Sequence, residues 1–266
     1  MIHQIMKDKP TRLFLILGGF FIANALIAEI IGVKIFSLEK TLGFDPLSIH
    51  LLGNDLSVNL TAGVLLWPVV FIMTDIINEY FGMKGVRFLS YLTAALIAFA
   101  FLIFQLAMHL VPADFFVTSK QGSGVPDMEK AYNSVLGQGG FIIIGSLTAF
   151  ILGQLVDVFV FHRIKKVTGE KSIWLRATGS TLISQFIDSF VVLFIAFYIG
   201  TRVNRSGNDF VWPFNLFLAV GIVNYIYKFI VAIALTPVIY IVHNWIERYL
   251  GHERAAEMKK AAMSDE

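Results

Sequence analysis

Six long apolar stretches divide this sequence, and each is long enough to cross a bilayer as an α-helix. About 20 helical residues span the hydrocarbon core, and a helix pairs its own backbone polar groups, as lipid requires. Hydrophobic residues make up 56% of the chain and charged residues only 15%. The sequence therefore predicts an all-α integral membrane protein, with one six-helix transmembrane domain over residues 1–250 and a tail over residues 251–266. The six spans cover about residues 12–33, 58–80, 87–110, 139–161, 178–200 and 216–243.

The distribution of Lys and Arg predicts the orientation of these spans. If the N-terminus, the loops near residues 81–87 and 162–177 and the tail share one side, 14 basic residues lie there, against 6 on the other side. Basic loops stay on the cytoplasmic side, so both termini and the tail are expected in the cytoplasm. The basic side contains Lys7, Lys9, Arg12, Lys84, Arg87, Arg163, Lys165, Lys166, Lys171, Arg176, Arg248, Arg254, Lys259 and Lys260, and the other side contains Lys34, Lys40, Lys120, Lys130, Arg202 and Arg205.

Ionisable residues inside the apolar spans are the strongest functional signal. Such a residue costs at least about 2.5–3.5 kcal/mol near the bilayer centre and usually faces a cavity or a partner. A single Lys cannot neutralise five carboxylates, so some of these must be protonated, solvated or paired with another cation. This surplus of acid predicts a functional cavity. The residues concerned are Glu29, Asp75, Glu79, Asp157, Asp188 and Lys228.

Helical spacing brings many of these residues to a similar depth. Four spans carry polar pairs three or four residues apart, and such pairs share one helix face. The polar faces extend from the bilayer midplane towards the cytoplasm and predict a lined cavity. Glu29 and Arg176 are expected to act as gate or accessory residues. The candidate substrate-binding residues are Asp75, Asn78, Glu79, Gln154, Asp157, Gln185, Asp188, Asn224 and Lys228.

Structural roles for the same residues remain open at this point. Glu79 lies near a helix end and is compatible with a carboxylate that reaches interfacial water. Glu29 is placed to pair with Lys34, and Asp188 with Lys228. Gln154 and Gln185 are also compatible with hydrogen bonds that join helices, and Gly145, Ala149 and Gly153 form a stripe of small residues suited to close helix packing.

Catalytic and cofactor motifs are absent from the sequence. There is no Cys, which excludes disulfides, thiolate metal sites and Cys nucleophiles. Neither an HExxH nor a Walker A sequence occurs, so no metal, cofactor or nucleotide site is expected. The chain is therefore predicted not to be an enzyme, and if it is a transporter its energy would come from an ion gradient, metabolic trapping or a separate ATPase.

Several short strings resemble the signature of the queuosine precursor transporter family, also called the vitamin uptake transporter family. Pro68 and residues 74–82, T-D-I-I-N-E-Y-F-G, match its pattern P-x(5)-T-D-x-x-x-E-x-[FY]-G. The order and spacing agree over roughly residues 12–245. The other similar strings are Q-x-x-D-x-x-x-F at residues 154–161, W-L-R at residues 174–176 and S-T-x-x-x-Q-x-x-D-S at residues 180–189.

The resemblance implies uptake of 7-cyano-7-deazaguanine or a related 7-deazaguanine base, used in tRNA modification, across a bacterial inner (cytoplasmic) membrane. A guanine-like edge has two adjacent N–H groups that donate side by side to a carboxylate. It also has an oxygen that accepts a hydrogen bond from an amide or a cationic group. Two other classes stay open: a substrate-binding membrane subunit that needs an energising partner, and an intramembrane enzyme. The expected partners are this small molecule and the lipid bilayer, without direct nucleic acid binding. The sequence leaves proton coupling and homo-oligomerisation open.

Overall fold

The structure is a computed structural model that describes residues 7–137, 139–169, 173–203 and 210–264. Lys171 and Arg205, which enter the charge count above, lie outside the described residues. Within these ranges, five helical segments are long and apolar enough to cross a membrane. This confirms an all-α multi-pass membrane protein. The main helices of these segments are α1 (Lys9–Ile31), α3 (Trp67–Met108), α6 (Gly140–Thr168), α7 (Ile173–Leu193) and α9 (Phe214–Leu250).

The 42-residue helix α3 is broken at Gly82, whose φ of 69° and ψ of −176° are not helical. A Cβ placed on Gly85 would lie 3.8 Å from Cγ2 of Ile77. Residues eight apart in an unbroken helix are separated by about 12 Å along the axis, so the chain must fold back here. We call residues 67–81 the first arm of α3 and residues 83–108 its second arm. The predicted loop at residues 81–87 is thus reduced to this one break.

The second predicted span begins later than expected, at Trp67 rather than near residue 58. The intervening residues form strand β4 (Asn59–Thr61), which pairs antiparallel with β1 (Ile35–Ser37), and a 3₁₀ turn (Ala62–Leu65). The helix starts where Pro68 occupies its first turn, a position at which the missing N–H of proline costs nothing. The predicted span began too early because Leu60 and Val64 are apolar and buried but lie before the start of the helix.

The segment between α1 and α3 is a small ordered structure. Strands β2 (Ile49–Leu51) and β3 (Asn54–Leu56) form a hairpin, and the short helix α2 covers Leu38–Thr41. Glu39 accepts hydrogen bonds from the Val58 N–H at 2.7 Å and from Ser37 Oγ at 2.9 Å. The Val58 N–H lowers the pKa of Glu39, because it stabilises the ionised carboxylate. The loop between α3 and α6 contains α4 (Asp114–Thr118) and α5 (Met128–Leu136).

Helices α6 and α7 pack closely along the predicted stripe of small residues. A Cβ on Gly145 would lie 3.2 Å from the Ala196 nitrogen and from the Val192 carbonyl oxygen. A π-helical turn (Phe194–Ile199) follows α7 and leads into α8 (Gly200–Val203). This close approach confirms the packing role predicted for the stripe and aligns the polar residues of the two helices.

The last helix, α10 (His252–Ser264), covers the break in α3, within the segment that the sequence predicted as a tail. A Cβ on Gly82 would meet the Ala262 carbonyl oxygen at 3.1 Å. Lys259 forms an ion pair with Glu247 of α9, which fixes the position of α10. Glycine is therefore required at residue 82 for two reasons: its backbone angles, and the close contact with Ala262.

Replacing Gly82 with alanine should destabilise the protein by about 1–3 kcal/mol, because its φ and ψ lie in a region essentially restricted to glycine. The measurement is thermal or denaturant unfolding in detergent micelles. Gly19→Ala is the matched control, since nothing lies within 4 Å of a Cβ placed there. Equal stability of the two variants would contradict the role given to Gly82.

Candidate substrate site

A buried cluster of three charged residues joins α3, α6 and α7. The Arg176 guanidinium donates to both carboxylate oxygens of Glu79, from Nε at 3.1 Å and from a terminal nitrogen at 2.8 Å. Lys165 Nζ lies 3.1 Å from Oε2 of Glu79 and also donates to the Glu79 backbone carbonyl at 3.1 Å. All three residues are at most 2% exposed. Glu79 is thus neutralised by two cations, and its oxygens are occupied by protein donors.

Lys165 was missed by the sequence analysis, which assigned it to an inner loop. Helix α6 extends to Thr168, so Lys165 remains helical and points inward. A signal was available, because Gln154, Asp157, Phe161 and Lys165 follow one helix face at intervals of three or four residues. Extending the polar face of α6 by one turn past Phe161 would have found it.

Two further carboxylates meet a group of hydroxyls on α7. Asp75 lies near Ser180 Oγ and Thr181 Oγ1, at 3.4 and 3.5 Å, and Asp157 accepts from Ser184 Oγ at 3.0 Å. Both carboxyl groups are buried and close enough to interact electrostatically. Unlike Glu79, neither is paired with a cation within the described part of the chain. Two carboxyl groups with few or long hydrogen bonds therefore lie together in one buried polar region.

Several buried polar atoms beside these carboxyl groups have no hydrogen-bond partner. Gln154 accepts from Thr74 Oγ1 at 2.8 Å through its oxygen, but its Nε2 is unpaired. The Nε2 of Gln185 is also unpaired, as are Oδ2 of Asp157 and both amide atoms of Asn78. An unsatisfied buried polar group costs about 1–3 kcal/mol. Donors and acceptors left open in this way are suited to bind water or a polar ligand.

A narrow cavity lies between the first arm of α3, α7 and α9. Thr181 and Gln185 line it together with Trp67 and Phe71, which offer aromatic surfaces. About 30 Å³ is open to the centre of a water molecule, so a base-sized ligand would require the helices or side chains to part. Thr181 also approaches Asp75, so the cavity borders the carboxyl groups.

Asp188 and Lys228 form an ion pair at another point of the cavity. Lys228 Nζ lies 2.5 Å from Oδ2 of Asp188, and Lys228 also lines the cavity. Their side chains are 20% and 17% exposed, in contrast to the fully buried Glu79 cluster. The structure thus contains the ion pair that the sequence left as one alternative.

The remaining predicted residues lie apart from the cavity lining. Glu29 is buried and accepts a hydrogen bond from Ser146 of α6. Asn224 donates to the Val220 carbonyl of its own helix at 3.0 Å. The site brought together by the fold is therefore smaller than the predicted set, with Gln185, Thr181 and Lys228 at the cavity and Asp75, Asp157 and Gln154 behind it.

A multi-pass helical fold with a polar site between its helices is an arrangement found in membrane transporters. The family described as "Putative vitamin uptake transporter" matches residues 61–242, and the chain belongs to this family. It is a transporter and not an enzyme.

Relatives of known name support the assignment. The "Probable queuosine precursor transporter" of Haemophilus influenzae is 28% identical over 259 residues, or 92% of this chain and 93% of that protein. The protein of the same name from Bacillus subtilis is 26% identical over 181 residues, 68% of this chain and 70% of its own length. The "Queuosine precursor transporter" of Escherichia coli is 28% identical over 179 residues, covering 67% and 70%. No solved structure matches the chain.

Glu79→Gln should destabilise the fold strongly, by about 3–5 kcal/mol, because it leaves Arg176 and Lys165 buried without a countercharge. Unfolding in micelles would measure this. Glu253→Gln makes the same chemical change at an exposed position and should alter stability by less than about 0.5 kcal/mol. A small loss for Glu79→Gln would mean that the cluster is not a structural anchor.

Proposed function

We propose that this protein imports a queuosine precursor, 7-cyano-7-deazaguanine or a related 7-deazaguanine base, across the cytoplasmic (inner) membrane. The names of the three relatives support this substrate class. The observation that carries the proposal is the set of unpaired buried donors and acceptors beside an aromatic-lined cavity. A flat heterocycle with a hydrogen-bonding edge has the matching chemistry.

In the proposed topology the chain crosses the membrane six times, with both termini in the cytoplasm. The first arm of α3, together with the 3₁₀ turn at Ala62–Leu65, supplies the second crossing, and the second arm supplies the third, because the chain folds back at Gly82. The break then lies at the cytoplasmic end, where basic residues concentrate. Arg176, at the start of α7, lies at the same end.

Recognition of the base would use the open groups described above. The carboxylate of Asp157, whose Oδ2 is open and whose Oδ1 would exchange its bond from Ser184, accepts the adjacent ring and exocyclic N–H groups of a guanine-like edge. The Nε2 groups of Gln154 and Gln185 donate to its carbonyl oxygen. Trp67 and Phe71 contact the ring faces. Asp75 lies beside Asp157 as a second acceptor, and Asn78 offers both a donor and an acceptor.

Two ion pairs lie on opposite sides of the cavity and suit alternating access. The residues of α7 that line the cavity run from Ala177 to Gln185, between Arg176 on one side and Asp188 on the other. Arg176 and Asp188 are separated by about 18 Å along the helix axis. In our proposal the pair of Asp188 and Lys228 is the outer gate, and Arg176, held in place by Glu79, is an accessory residue on the inner side. Glu29, next to α6, acts as an accessory residue of the outer gate.

Uptake of radiolabelled 7-cyano-7-deazaguanine into liposomes that contain only this protein tests the proposal. Wild-type protein should show saturable uptake, and Asp157→Asn should reduce it about tenfold or more, since hydrogen bonds to charged groups contribute about 1.5–3 kcal/mol. Asp45→Asn is the control, because Asp45 is exposed on the loop between α2 and β2.

The outcomes separate the alternatives. Dependence on an imposed proton gradient would establish proton coupling. Ligand binding without uptake would contradict autonomous transport and favour a substrate-binding subunit with a missing energising partner. If neither binding nor uptake occurred, the substrate class would be wrong for this chain. Equal uptake by Asp157→Asn and wild type would remove Asp157 from the site.

A further inference from the structure

A groove on the outside of the helix bundle lies between the second arm of α3 and α6. It has a volume of about 580 Å³ and is separate from the cavity described above. Apart from one arginine, its lining is apolar or aromatic. The lining residues are Arg87, Tyr91, Leu152, Leu155, Val156 and Phe159.

The groove opens to the surroundings of the bundle rather than to its interior. Tyr91 is 52% exposed and Phe159 is 50% exposed, although both belong to membrane-spanning helices. Leu152 and Phe159 are seven residues apart, so the apolar wall extends about 10 Å along α6. A surface of this kind faces lipid, and its length matches part of one acyl chain.

Positive charge is concentrated at one end of the groove. Arg87 follows Gly82 by five residues, and the exposed Arg163 lies one turn beyond Phe159 near the end of α6. The Arg163 guanidinium stacks over the Phe159 ring at 5.0 Å. The two arginines therefore lie at the Gly82 end of the bundle.

The two helices offer these arginines little countercharge. The second arm of α3 contains no acidic residue, and Asp157, which is fully buried, is the only one in α6. Neither Arg87 nor Arg163 forms an ion pair with any residue that the structure describes. A negative group from outside the chain would complete the site.

We propose that this groove binds an acidic phospholipid from the leaflet at the Gly82 end. Its phosphate contacts Arg87 and Arg163, and one acyl chain lies against Leu152, Val156 and Phe159. The arginines supply selectivity for negative headgroups, and the apolar wall supplies contact area. This inference does not depend on which substrate the protein carries.

Native mass spectrometry of the full chain, with added phosphatidylglycerol or phosphatidylcholine of the same acyl composition, tests the proposal. The wild type should retain phosphatidylglycerol preferentially. Because each basic residue near an anionic surface contributes about fivefold to binding, the double variant Arg87→Gln and Arg163→Gln should lose affinity about 25-fold. Arg248→Gln, an exposed arginine of α9, should leave binding unchanged.

A second measurement covers the case in which the double variant fails to fold. The chain has no Cys, so Val156→Cys introduces a unique site for a cross-linker or spin label in the groove. Phosphatidylglycerol with a cross-linker on its acyl chain should couple to the Cys at residue 156. Phosphatidylglycerol without the cross-linker should compete with this coupling better than phosphatidylcholine does. Equal competition by both lipids, or equal retention of both by the wild type, would overturn the proposal.

Discussion

The ion cluster of Glu79, Arg176 and Lys165 is the interaction on which the rest of this structure depends. Removing one ion from water costs several kcal/mol even after relaxation, so a buried charge is tolerated only with close partners. Here one carboxylate receives a bidentate arginine and a lysine, each from a different helix. The cluster thereby fixes the break in α3, the end of α6 and the start of α7 relative to one another, and these helices carry the polar residues of the site.

The polar residues fall into two groups with different physical roles. In the Glu79 cluster two cations share one carboxylate and each contacts it directly, which suits a structural anchor. Asp157, Gln154 and Gln185 retain atoms without partners, although they are equally buried. Because such atoms are costly to leave empty, they are the ones suited to exchange partners with a ligand. This difference, more than the number of acidic residues, supports a transport site at the cavity.

Much of the fold followed from elementary rules. The length of the apolar stretches predicted a protein with membrane-spanning helices, and the small residues around Gly145 predicted the packing of α6 on α7. The sharp break in α3 at Gly82 was predicted only as a short loop, since the periodicity of apolar residues does not indicate a break of one residue. The start of α3 was placed too early because apolar residues before Trp67 are buried in a strand and a turn rather than in a helix.

The site was harder to predict, because partners depend on tertiary contacts. Helical spacing placed Asp75, Gln154 and Asp157 at a common depth, and the structure brings them together. Spacing within one helix could not show that Lys165 reaches Glu79, or that Asn224 bonds to its own backbone. Whether a buried polar atom is satisfied is a property of the assembled helices, and sequence alone does not contain it.

An experimental structure with bound 7-cyano-7-deazaguanine would test the central claim most directly. Our account predicts the base between the first arm of α3, α7 and α9, with its edge on Gln185 and Asp157 and with the pair of Glu79 and Arg176 intact. A ligand hydrogen-bonded to Glu79, with Arg176 and Lys165 displaced, would contradict the division between anchor and binding site.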